Sequence, residues 1–127
     1  MRILIFGDSI TEGFCDYEMG GWINMLKIYF WKKGAKFRVT NLGISGDNSE
    51  DILKRFESFQ KAYNHKYQNK SIIIFSFGMN DSLLLKNGNN DINIDEFKKN
   101  IEKLIQISKD NSLISKIIFL TNTNIKR

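Results

Sequence analysis

At 127 residues the chain has room for one hydrophobic core and not two. With 42% hydrophobic and 26% charged residues it is an ordinary globular composition, which excludes disordered and fibrous classes. The net charge of +5 comes from 19 Lys and Arg against 14 Asp and Glu. These cations are scattered along the chain with no basic run interleaved with aromatics, so no nucleic-acid partner is expected. No apolar run approaches the ~20 residues of a membrane helix, and Ile3–Phe6 is too short for a signal peptide. The one cysteine, Cys15, excludes an internal disulfide or a multi-thiolate metal site within one chain, and points to a cytoplasmic setting.

In chain order, Arg2–Phe6 is a short apolar run ending at Gly7, as in a buried strand. Gly21–Lys33 carries Trp22, Leu26, Tyr29 and Phe30 at helical spacing and stops at Gly34; both Trp22 and Trp31 are expected to pack. Phe37–Leu42 reads as a second strand, ending at Gly43. Asp47 with Glu50 has the spacing of a capping box, opening a helix with Ile52, Leu53, Phe56 and Phe59 on one face that runs to about Tyr63. Ser71–Phe77 is a third strand, ending at Gly78. Asn93 with Glu96 starts a further helix, striped by Phe97, Ile101, Leu104 and Ile105 and ended by Asn111; Leu113–Thr121 is a fourth strand.

Strands separated by helices run parallel, and continuously apolar strands are covered by helices on both faces. The expected fold is a single α/β domain over 1–127 with a doubly wound parallel sheet, whose ligands sit beyond the strands' carboxyl ends. Three polar, glycine-bearing segments follow three successive strands there: Gly7-Asp8-Ser9-Ile10-Thr11, Asn41 to Asp47, and Gly78-Met79-Asn80-Asp81.

These segments resemble the blocks of the SGNH hydrolase superfamily, the GDSL-type esterases and lipases. Gly7–Thr11 is similar to its first block, Gly46 to the glycine of its second, and Gly78–Asp81 to its third; Gly20-Gly21-Trp22 with Leu26 is also similar to many bacterial members. The resemblance runs from Met1 to about Thr121 and implies a flavodoxin-like sheet of strand order 2-1-3-4-5. It implies that Ser9 is the nucleophile on a small-molecule ester or related acyl bond. It also implies that the Ser9 and Gly46 backbone N–H groups and the Asn80 amide stabilise the oxyanion. Asp8 and Asp81 are expected to support the site, either by ordering the turns through backbone hydrogen bonds or in a catalytic role. No metal and no organic cofactor is implied.

The family's last block, Asp-x-x-His, is absent, and so are its last strand and helix. The one histidine, His65, lies six residues before the third strand, whose seven residues span about 23 Å. It is therefore expected in a surface loop at the amino edge, opposite Ser9. The alternative function is a non-catalytic binding domain, or an inactive fragment, that keeps the oxyanion pocket. A nucleotide-binding module is disfavoured: no Gly-x-Gly-x-x-Gly follows the first strand, and Asp8 would repel a phosphate. With no fifth strand, Leu113–Thr121 is expected to be an exposed edge through which the chain self-associates.

Overall fold

The computed structural model describes residues 1–66 and 69–121, the side chain of His65 excepted. Its elements are β1 (Arg2–Gly7), α1 (Ser9–Glu12), α2 (Trp22–Lys32), β2 (Arg38–Gly43), α3 (Ser49–Lys66), β3 (Ser71–Ser76), α4 (Ile94–Lys109) and β4 (Ile114–Phe119). The four strands form one parallel sheet in the order β2-β1-β3-β4. This is the α/β fold expected, with β1 and β3 central and each bordered by two strands.

Register decides what the helices cover. Adjacent residues of a strand face opposite ways, and partners across parallel strands share a face. Leu4, Phe6, Ile73 and Phe75 pack with Ile52 and Phe56 of α3 and Leu104 of α4. Phe6 meets Phe56 edge-on at 5.2 Å between ring centroids, and Phe56 meets Phe75 at 5.1 Å. On the other face Ile3 and Ile5 pack against Ile23 of α2, flanked by Trp22, Leu26 and Phe30. The sheet is therefore wound on both faces. Among the described residues β4 pairs with β3, and Phe119 stacks on Phe75 at 5.0 Å.

Several local expectations are corrected. In α2 the fully buried residue is Ile23, while Tyr29 and Trp31 are exposed. Trp22, Leu26 and Phe30 pack on the sheet as expected; Tyr29 does not, and Ile23 joins them. The cap of α3 is Asn48, not Asp47. The Asn48 carboxamide oxygen accepts from the Glu50 and Asp51 N–H groups, and Asp51 returns a bond to the Asn48 N–H. Asp47 is instead paired with Arg55. α4 starts as expected, with the Asn93 side chain accepting from the Glu96 N–H at 2.9 Å. His65 lies in the last turn of α3 rather than in a loop. The short helix α1 begins within the first polar segment and runs to Glu12, where the expectation had only a turn.

Candidate active site

The carboxyl ends of β1, β2 and β3 are adjacent, with Gly7 in register with Gly43 and with Ser76. Ser9 follows two residues after Gly7, Gly46 three after Gly43, and Asn80 four after Ser76, so all three leave one edge of the sheet. Each retains solvent contact: Ser9 and Asn80 are half-buried and Gly46 is exposed.

Hydrogen bonds tie the three loops together. The Ile44 N–H donates to the Gly7 carbonyl at 3.0 Å, joining the second loop to the first. The Asn80 amide donates to the Asp47 carbonyl at 2.8 Å, joining the third to the second. An amide nitrogen carries two hydrogens, so this bond fixes Asn80 beside Gly46 and leaves it a second donor. Gly46 has φ +88°, a left-handed conformation that favours glycine, and a Cβ added there would meet nothing within 4 Å. That space is open, so a side chain there would meet no neighbouring protein atom.

Asp8 caps α1, its carboxylate accepting from the Ile10 N–H at 3.1 Å, which places Ser9 at the first helical position. Thr11, fully buried, donates its hydroxyl to the Ser76 carbonyl at 3.2 Å and pins α1 over β3. Asp8 is itself buried, and its second oxygen has no partner among the described residues. Burial raises its pKa above the ordinary value, the Ile10 hydrogen bond lowers it in part, and the nearby charge of Asp81 adds to the rise.

Asp81 is buried as well. Both its oxygens accept from the Ser49 N–H, at 2.9 and 3.0 Å. The Ser49 hydroxyl in turn accepts from the Asn100 amide at 2.9 Å, linking the third loop through α3 to α4. The opening N–H groups of a helix have no intrahelical partners. In α3 side chains take three of them: Asp81 takes Ser49, and Asn48 takes Glu50 and Asp51. Both aspartates thus order backbone turns, one at each flank of the site.

Three supporting residues carried no signal that sequence reading used. The Asn41 amide donates to the Thr11 carbonyl at 2.9 Å while its oxygen accepts from the Gly43 N–H, fastening α1 to the end of β2. Arg55 pairs with Asp47 at 2.7 Å and lies over the Phe6 ring, 5.7 Å from its centroid, so it steadies the Gly46 loop. Asn100 acts through Ser49. Asn41 stands inside the second polar segment and is the one the pattern could have shown; Arg55 and Asn100 lie within helices.

His65 sits apart from this edge. It lies sixteen residues beyond Ser49 along α3, about 24 Å at the helical rise. Among the described residues no group of three or more His, Cys, Asp or Glu could hold a metal ion, and no helix is long and apolar enough to cross a membrane.

Comparison with known proteins agrees with this architecture. The chain matches the model of the GDSL-like Lipase/Acylhydrolase family over residues 5–126. It is 28% identical over 116 residues to the uncharacterized lipoprotein YqeF of Bacillus subtilis (strain 168), covering 87% of this chain and 44% of that protein. Among solved structures it superposes on TesA with a TM-score of 0.76 at 23% identity, covering 96% of this chain and 61% of that one. The SGNH-hydrolase family esterase AlinE4 gives 0.71 at 23% identity, covering 93% and 57%. A variant of Axe2, an acetyl xylan esterase from Geobacillus stearothermophilus, gives 0.70 at 22%, covering 93% and 58%. The chain therefore spans under half of the curated relative and about three fifths of these structures. By its fold, and by a family match over nearly its whole length, the chain belongs to the GDSL-like lipase/acylhydrolase family.

Proposed function

We propose that this chain carries the serine and oxyanion part of an ester hydrolase. In this reading Ser9 attacks an acyl carbonyl to give an acyl-serine, and the Ser9 N–H, the Gly46 N–H and the second hydrogen of the Asn80 amide receive the oxyanion. The observation that carries it is the bond from Asn80 to the Asp47 carbonyl, which sets a neutral donor beside Gly46, a glycine whose outer face is open. Asp8 and Asp81 act by holding the turns. A cytoplasmic setting belongs to the same proposal and rests on the free thiol of Cys15; cell fractionation tests it.

A second reading, a pocket retained without turnover, is favoured by one observation: the only histidine of the sequence lies at the far end of α3. A serine without a base is a poor nucleophile, and loss of one triad member typically costs about 10⁴ in rate while the oxyanion donors leave a residue. The test is hydrolysis of p-nitrophenyl acetate by the purified chain. The expected result is slow turnover that Ser9→Ala abolishes, that Asn80→Ala lowers by about 10²–10³, and that His65→Ala leaves unchanged. Turnover equal in wild type and Ser9→Ala overturns the hydrolase reading. Turnover at ordinary enzyme rates that His65→Ala abolishes overturns the placement of the histidine.

A further inference from the structure

Each residue assigned to the site has an exposed large apolar neighbour: Ile10 beside Ser9, Ile44 near Gly46, and Met79 beside Asn80. Two of the three loops carry more. The segment between α1 and α2 exposes Phe14 (68%) and Tyr17 (93%). The segment after Asp81 exposes three consecutive leucines, Leu83 (56%), Leu84 (66%) and Leu85 (45%). Single exposed apolar residues are ordinary, but a run of three is not, and a concentration of them on one edge marks an interaction surface.

The leucines belong to an ordered projection. Leu84 bridges Asn90 antiparallel, the Leu85 N–H donates to the Asn89 carbonyl at 2.8 Å, and the Asp91 N–H donates to the Leu83 carbonyl at 2.8 Å. The Asn48 amide holds its base through the Asp91 carboxylate at 3.0 Å. Successive residues of an extended strand face opposite ways. All three leucines are exposed, so both faces of this ribbon reach solvent.

We propose that this apolar crown docks on the surface of an electroneutral amphiphile aggregate, a zwitterionic bilayer or micelle, and presents the site to it. The choice of occupant rests on the hydrolase reading above. The tips lie on separate loops around Ser9, so a rigid protein seated on all of them closes the site, whereas a fluid surface delivers its own esters into it. Charge selects the class of surface. Glu12, Asp16, Glu18 and Asp91 accompany the crown against one cation, Lys86, although the chain as a whole carries +5. The cations lie elsewhere, so the crown has no attraction for an anionic surface.

The test is cosedimentation with vesicles of pure phosphatidylcholine and of phosphatidylcholine mixed with phosphatidylglycerol. It compares wild type, Leu84→Asp and the double variant Leu83→Ser with Leu85→Ser, each checked for native circular dichroism. Wild type is expected to bind pure phosphatidylcholine at least as well as the mixture, and each variant is expected to bind at least about tenfold more weakly. Binding needs no chemistry, so Ser9→Ala is expected to bind like wild type, which separates this proposal from the hydrolase reading. Absence of binding by wild type, binding only to the anionic mixture, or equal binding by the variants overturns it. So does wild type that self-associates instead, with Leu84→Asp monomeric, since the crown then covers a second copy.

Discussion

Replacing Asp81 by Ala is expected to loosen the whole third loop, because among the described residues its carboxylate is the acceptor for a buried helix-start N–H. Ser49 is fully buried, and both Asp81 oxygens lie within 3.0 Å of its nitrogen. Removing them leaves a buried donor without a partner, which costs about 1–3 kcal/mol. It also removes a negative charge from the first turn of α3, worth about 0.3–1 kcal/mol and more in a partly buried setting. The sum is roughly 1–4 kcal/mol, a large share of the ~5–15 kcal/mol that a domain of this size holds. Asp81→Asn keeps the shape and one oxygen acceptor, so it loses mainly the charge and should cost about 1 kcal/mol. Urea unfolding, followed by circular dichroism at fixed pH, measures both. If Asp81→Ala costs no more than Asp81→Asn, or both stay within ~0.5 kcal/mol of wild type as remote surface changes do, the carboxylate is not what holds α3 to the loop.

Three further outcomes follow from other parts of the molecule. Asp8 has its folded pKa raised above 3.8, chiefly by burial. The folded state therefore holds its proton longer than the unfolded one, and stability is lost as pH rises from 3.8 through the folded value. Asp8→Asn, which can still accept from Ile10, should gain on wild type as pH rises through that interval; a difference that does not change with pH contradicts this. Gly43→Ala places a Cβ 2.4 Å from the Glu12 nitrogen, a backbone contact that α1 can relieve only by moving. It should therefore destabilise the chain and lower Ser9 reactivity together, and unchanged midpoint and reactivity would contradict the packing described. Ile118, half-buried on β4, is in register with Ile74 on the face that bears α2. The chain is expected to self-associate through β4 and Ile118→Lys to reduce this in sedimentation. A wild-type monomer at high concentration, with cooperative unfolding, goes against it.

The sheet was legible because parallel strands buried on both faces are written as unbroken apolar runs. Ile72–Phe75 and Ile3–Phe6 need no neighbours to be recognised. The boundaries of α3 and the face of α2 were not, for a physical reason in each case. Asp47 and Asn48 are both competent caps one residue apart, and the choice falls to Asn48 because Arg55, about two turns further along α3, takes the Asp47 carboxylate. In α2 the aromatic spacing suggested Tyr29, but the helix turns Ile23 onto Ile3 and Ile5, where an aliphatic side chain fills the space. The site's polar blocks were visible as three segments, yet the bonds joining them were not. Whether Asp81 reaches Ser49, or Asn80 reaches the Asp47 carbonyl, depends on contacts 32 and 33 residues apart in the chain.

The claim on which the functional account turns is that Ser9 stands in an oxyanion pocket completed by Asn80. The most direct measurement is reaction of the folded chain with a fluorophosphonate, with the modified residue located by mass spectrometry and the rate compared across variants. The account predicts one adduct, on Ser9, formed slowly and with no adduct elsewhere in Ser9→Ala. It also predicts that Asn80→Ala slows the reaction while His65→Ala does not. Modification of other serines with Ser9 untouched, or an Asn80→Ala variant that reacts at the wild-type rate, would contradict it.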